Sequence, residues 1–266
     1  MIYADPPTTL PVDHLSLSSL RLFAQCPERW RRRYVEREYE PPSGQMILGS
    51  AAGAAENQSY AQKIETGEAF ETEQVVDEFS TEWEDRISRE QVDWGEHAPG
   101  ELKDSGILAL ERYHEFVVPQ VVPVSVERKF ELGWPGIDWS VIGYIDIEDD
   151  AGNVRDMKMR GKRLSQRDAD ADLQPTLYLA ARRAEGNPAP EFHFDTMIRS
   201  RTPHAEVVTT ERTDDELDLL PGRIFGLAAE MAWRIENDVW SGAAPATFFC
   251  NNCTYRDCPL RLGRPR

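Results

Sequence analysis

Two carboxylates and a lysine stand near one another in the middle of the chain, at Asp146, Asp156 and Lys158. Asp146 closes the run Gly143-Tyr144-Ile145-Asp146, and Asp156-Met157-Lys158 follows a tight turn at Asp149-Asp150-Ala151-Gly152. Side chains alternate along a strand, so Asp156 and Lys158 share a face, and pairing across the turn brings Asp146 to the same patch. Hard oxygen ligands of this kind suit Mg²⁺ or Mn²⁺, which keep several waters and can activate one, while an ammonium neutralises charge developing on a phosphorane. The chemistry they point to is phosphodiester hydrolysis. Taken alone, the same residues also read as an exposed hairpin carrying ordinary charges.

Two further groups bear on that choice. Gln174 and Tyr178 are four residues apart, hence on one helix face, where an amide and a phenol could reach a nucleic acid or an attacking water. All four cysteines belong to one pattern, Cys26 near the start and Cys250-x-x-Cys253-x-x-x-x-Cys258-Pro259 near the end. Three thiols on a short loop need a fourth ligand from elsewhere, and Cys26 would staple the two ends of the chain together. A cubane iron-sulfur cluster and a Cys₄ zinc site both satisfy that ligand count.

The elements that must carry these residues are legible from capping and periodicity. Serines at 16, 18 and 19 cap a short helix through Leu20, Phe23 and Ala24, and Pro27 opens a second with Trp30 and Tyr34 on one side among Arg29, Arg31, Arg32 and Arg33. Residues 46–61 are small and apolar, and 68–118 are charged and aromatic-studded with one break at His97-Ala98-Pro99-Gly100, a pattern that predicts helices. Runs at 124–132, 139–147 and 153–159 predict a β-meander, followed by a helix over 172–185 and strands at 191–199 and 205–210. A capping box, Thr213-x-x-Glu216, opens a long helix disturbed at Pro221 and ending near Gly242.

Composition bounds the partners. The chain has 266 residues, 40% of them hydrophobic, which is enough for a sizeable core. Its formal charge of −17 argues against coating nucleic acid through bulk charge and leaves room only for a local basic groove, for which Arg160, Lys162, Arg163 and Arg167 are the nearest residues to Lys158. Trp30, Trp83, Trp94 and Trp233 could stack bases, but their helical spacing assigns them first to the core. No apolar run reaches the roughly 18 residues of a membrane span, and the start lacks the order of a secretion signal, so a cytoplasmic protein without membrane association is expected.

The order of these features, Leu15-Ser16-x-Ser18-x-Leu20 and Cys26-Pro27, then Leu48-Gly49-Ser50, Gly143 to Asp146, Asp156-x-Lys158, Gln174-x-x-x-Tyr178 and the terminal cysteines, resembles the RecB-like, iron-sulfur branch of the PD-(D/E)XK nuclease superfamily. That branch includes CRISPR-associated RecB-like exonucleases, related phage exonucleases and the AddB-type nuclease domain. The resemblance implies one α/β domain over 1–266, with a mixed β-sheet flanked by helices, a helical insertion at about 55–118 and a cluster clasp joining the ends. By the same resemblance Asp146, Asp156 and the Met157 carbonyl hold Mg²⁺ or Mn²⁺, Lys158 is the catalytic lysine, and Gln174 and Tyr178 assist. Cys26, Cys250, Cys253 and Cys258 bind a [4Fe-4S] cluster, with zinc as the alternative. The implied activity is exonucleolytic cleavage of DNA ends or single strands, in recombination, repair or processing with a partner protein. One departure stands out. These nucleases place a metal-binding histidine four residues after the glycine of the Gly49-Ser50 segment, and this chain has Gly53 there, leaving water or Glu56 to substitute. A catalytically weakened DNA-binding or assembly subunit is therefore the alternative expectation.

Overall fold

The structure, a computed structural model, describes residues 6–243, 249–250 and 253–262. The first five residues, on which the reading of the chain's start rests, and Asn251 and Asn252 of the cysteine loop lie outside the described residues. In chain order the elements are β1 (His14–Leu15), α1 (Leu17–Gln25), α2 (Pro27–Trp30), α3 (Gly44–Thr66), α4 (Thr72–Arg89), α5 (Pro99–Phe116), β2 (Pro123–Leu132), β3 (Ser140–Asp149), β4 (Val154–Arg160), α6 (Gln166–Ala171), α7 (Leu173–Ala184), β5 (Phe192–Ile198), β6 (His204–Thr210), α8 (Asp214–Asp218) and α9 (Leu220–Asn237). They form two compact units, one comprising residues 41–129 and 144–213, the other residues 1–40, 130–143 and 214–266.

The larger unit holds the mixed sheet. β3 pairs antiparallel with β4, β4 parallel with β5, and β5 antiparallel with β6, while β2 pairs with β3. The parallel step from β4 to β5 needs a crossover, which α6 and α7 supply. Ser43 caps α3 by accepting the Met46 N–H, and no breaker follows until Gly67 closes the helix in the left-handed region at φ 84°. The helix starts at Gly44, two residues before the small, apolar stretch at 46–61 from which a helix is expected. Ala51, Ala52 and Ala55 of α3 are buried against α4 and α5, where Phe79, Trp83, Leu110 and Tyr113 fill the space, and Ile147 and Met197 of the sheet join the same core. A Cβ at Gly106 of α5 would run into the Leu48 side chain of α3, so glycine there lets Leu48 pack directly on the α5 backbone. Trp94 packs on Trp83 with ring centroids 5.7 Å apart.

The smaller unit is organised around aromatic side chains. Ser16 caps α1, Trp30 donates its indole N–H to Ser19 at 2.8 Å, and Phe23 meets the Trp30 ring edge-on. Trp30 and Tyr34 stack with centroids 5.8 Å apart, as their spacing predicts, although a π-turn over Arg31–Val35 follows α2. β1 pairs parallel with β3 at Ser140 and Val141, and Trp134, Trp139 and Phe225 cluster in α9's neighbourhood. Gly143 lies against the Phe130 ring and has no space for a side chain, a packing reason for the glycine of its motif. Two expectations fail here. The helix opened near Thr213 divides into α8 and α9, since Pro221 is tolerated only in a first helical turn, and α9 ends at Asn237 with Asp238 left-handed, not near Gly242. Trp233 is exposed, not core.

Candidate active site

The register Ile147 opposite Arg155 and Glu148 opposite Val154 sets the geometry of the β3–β4 hairpin. Asp149 Oδ1 accepts the Asn153 N–H at 2.9 Å and closes the turn. Alternation then sends Ile147 and Arg155 to the face covered by α3, α4 and α5, and Asp146, Asp156 and Lys158 to the opposite face. Past Asp146 the strands separate, and the Asp146 carboxylate takes the place of a backbone partner by accepting the Met157 N–H at 2.9 Å. Sequence reasoning brings these three side chains together, and the fold does the same.

Asp156 is buried. Its Oδ1 accepts from Lys158 Nζ at 2.8 Å and from the Gln174 amide, while its Oδ2 is buried without any hydrogen-bond partner among the described residues. Gln174 is placed by α7, whose first turn is capped by Asp172 Oδ1 accepting the Gln174 N–H at 2.7 Å. Tyr178, one turn on along the same helix, is buried with its ring edge-on to Phe192 at 5.9 Å. Asp146 keeps some accessible surface yet is deeply enclosed by protein atoms, and burial, then the charge of Asp156, push its carboxyl up to about 7. Lys158 and the Met157 N–H act the other way. A pair of carboxylates this close resists double ionisation until a cation is supplied.

A third acid enters from β2. Glu127 also raises the Asp146 carboxyl, and it accepts from Asn57 Nδ2 at 2.6 Å. Its φ of 45° places a non-glycine residue in the left-handed region within a strand, a local distortion of the kind that aims side chains near functional sites. Sequence reasoning passed over Glu127 because nothing in Val126-Glu127-Arg128 marks the kink. Asn57 stands four residues after Gly53 on α3, and a Cβ at Gly53 would meet nothing within 4 Å, so the position of the missing histidine opens on empty space. Glu56, the expected substitute, is instead fully buried and faces His114, with both carboxylate oxygens 3.3 Å from Nδ1. The neighbouring helix claims it because a buried carboxylate needs a partner.

Behind the hairpin lies a buried polar network that the sequence reading also missed. Arg155 donates to Asp195 at 2.9 and 2.8 Å and to Asp149 at 3.2 Å, and its Nη1 is 2.7 Å from His193 Nδ1. Tyr113 donates to Asp195 at 3.1 Å, and its hydroxyl lies 2.9 Å from that of Tyr60. Arg155 thus ties β4 to both β3 and β5, directly beneath Asp156. A signal existed: Asp195 stands among Phe192, Phe194, Met197 and Ile198 in a buried strand, and a buried acid there requires a buried cation.

The cysteines lie in the smaller unit. Cys26, Cys250, Cys253 and Cys258 line one small cavity of about 20 Å³, and none forms a disulfide. Burial raises the Cys26 thiol, and the proximity of Cys253, Cys258 and Cys250 raises it further. The loop is held by Arg32 donating to Asp257 at 3.0 Å and by Thr254 and Tyr255 donating to Glu40 and the Glu38 carbonyl. Arg29 and Arg31 are likewise engaged by Glu40 and Glu28, so that basic run is largely neutralised. Among the described residues, no three His, Cys, Asp or Glu side chains stand close enough to hold a metal ion as placed.

A family model of the PD-(D/E)XK nuclease superfamily matches residues 14–258. A candidate exonuclease from Eubacterium rectale has a crystal structure similar over 96% of this chain and 91% of its own, at a TM-score of 0.61 and 11% identity, a likeness of fold. The structure of SSO0001 covers 96% of this chain and 90% of its own at 14% identity, with a TM-score of only 0.44. No curated protein matches the sequence.

Proposed function

Because the chain belongs to the PD-(D/E)XK nuclease superfamily, we propose that it is a metal-dependent DNA exonuclease acting on ends or single strands, with its site at Asp146, Asp156 and Lys158. The observation that carries this reading is the buried, unpartnered Oδ2 of Asp156 beside a second enclosed carboxylate. An orphaned carboxylate oxygen is costly unless a cation neutralises it, and the donor set fits a hard divalent ion. Asp146, Asp156 and the Met157 carbonyl would hold Mg²⁺ or Mn²⁺, the metals typical of this superfamily. When bound, the cation supplies Lewis-acid stabilisation and lowers the pKa of water.

The chain's own residues do the rest. Lys158, half-exposed and 2.8 Å from Asp156, offers its ammonium to charge building on the scissile phosphate. Gln174 fixes the Asp156 rotamer from α7, and Tyr178 borders that face of the same helix. In the smaller unit, the four free thiols that line one cavity would hold a [4Fe-4S] cluster once drawn together around it, with zinc as the competing occupant of the same ligands. The sulfur set serves structure, by tying Cys26 to the far end of the chain. A role in recombination, repair or DNA processing beside a partner protein belongs to the same reading, in the cytoplasm.

Anaerobically purified protein should degrade labelled DNA with Mg²⁺ or Mn²⁺, and 5′ and 3′ labels give the polarity. Asp156→Ala should lose cleavage while keeping its fold. Wild-type rates in Asp156→Ala would show that the hairpin is not the site. One observation favours a second reading: with Gly53 bare and Glu56 held by His114, neither of these α3 residues replaces the missing histidine ligand. A weakened or inactive DNA-binding subunit would then bind the same DNA without degrading it under either metal.

A further inference from the structure

β4 runs on from Asp156 and Lys158 to Arg160, which pairs with Ile198 at the end of β5. The Arg199 N–H then closes the edge on the Arg160 carbonyl at 2.8 Å, and both strands stop. At that end lies an open pocket of about 450 Å³ lined by Arg163, Ser200, Arg201, Thr202 and His204. Every lining side chain is a cation, a hydroxyl or an imidazole, the groups that bind phosphate oxygens. The loop shapes itself: Ser200 donates to the Thr202 carbonyl at 2.6 Å, and His204 Nδ1 lies 3.1 Å from that same carbonyl. The other imidazole nitrogen, Nε2, is buried with no hydrogen-bond partner among the described residues. It lies 4.0 Å from Glu206, too far for a hydrogen bond. Glu206, largely buried, is engaged through one oxygen by the exposed Arg163 at 2.7 Å. Arg201 is exposed and has no ion pair among the described residues, an open cationic side chain in a chain of net charge −17.

We propose that this pocket binds a backbone phosphate of a single DNA strand flanking the one to be cleaved. The proposal rests on the nuclease reading for its ligand, and it adds a second contact point and a minimum substrate length. Four residues of extended strand separate Asp156 from Arg160, about 13 Å. A strand seated at the carboxylates must therefore continue past its scissile phosphate to reach Arg201, and very short fragments forgo the contact.

Fluorescein-labelled dT₄ and dT₁₂, titrated with full-length protein in EDTA over a range of NaCl concentrations, test this by anisotropy. The parent should bind dT₁₂ more tightly than dT₄. Arg201→Glu should weaken dT₁₂ roughly fivefold to tenfold and flatten the plot of log affinity against log salt by about 0.7 for each phosphate lost, whereas Arg201→Lys keeps most of the affinity. Equal dT₁₂ affinity and equal salt slope in parent and Arg201→Glu would overturn the proposal, as would a parent that binds neither oligonucleotide. Cleavage is read separately: a parent that binds with this length and salt dependence but never degrades DNA with Mg²⁺ or Mn²⁺ would remove the nuclease reading and leave the phosphate site standing.

Discussion

Replacing Asp146 with asparagine should stabilise the metal-free protein at alkaline pH while abolishing cleavage. Burial and Asp156 hold the Asp146 carboxyl at about 7, against 3.8 for an ordinary aspartate. Between those values the folded state binds more protons than the unfolded chain, so this group's contribution to stability falls as pH rises and is lowest above about 7. At 1.36 kcal/mol per pH unit the full displacement is worth about 4 kcal/mol, an upper limit for two carboxylates whose charges share one site. Water entry and relaxation reduce this to roughly 1–3 kcal/mol. Asparagine imitates the protonated acid and keeps an oxygen for the Met157 N–H. Urea unfolding in EDTA should therefore show the variant and parent nearly equal close to pH 4 and the variant more stable by that margin at pH 8.5. Mg²⁺ should then stabilise the parent, by about 2.7 kcal/mol at a hundred times its dissociation constant, and the variant far less. A variant less stable than the parent at pH 8.5, or a difference that does not change with pH, would refute the argument that the two carboxylates await a cation.

Three further outcomes follow from the same geometry. Gly53→His finds open space and removes a helix glycine at a gain of up to about 1 kcal/mol, so the half-saturating Mg²⁺ or Mn²⁺ concentration for cleavage should fall; an unchanged metal dependence in folded variant would mean that residue 53 does not serve the metal. Cys26→Ser or Cys253→Ser should lose the brown chromophore of anaerobically isolated protein and much of its thermal stability, and a colourless, zinc-loaded parent would replace the iron cluster with zinc. Asp195→Asn leaves the buried Arg155 with Asp149 as its remaining carboxylate and should cost up to about 3–5 kcal/mol in denaturant unfolding, an effect absent if the ion pair is merely tolerated.

Sequence alone determined the parts of this protein that depend on local rules. Alternation and turn residues place β2 to β6 within two residues of their observed limits, and the Asp149 to Gly152 turn forces Asp146 and Asp156 onto one face because strand side chains have a period of two. The serine at the head of α1 fixed that helix's start for the same reason: the donor and acceptor lie within three residues of each other. Tertiary structure decided everything that depends on which distant partner a buried polar group finds. Glu56 went to His114 from another helix and not to the metal site, Arg155 knitted three strands through Asp149 and Asp195, and Asn57 and Glu127 met from elements 70 residues apart. The arginines beside Cys26 were claimed by Glu28, Glu40 and Asp257. A buried charge must be paired wherever the fold can supply a partner, and no periodicity in the chain says which partner that will be.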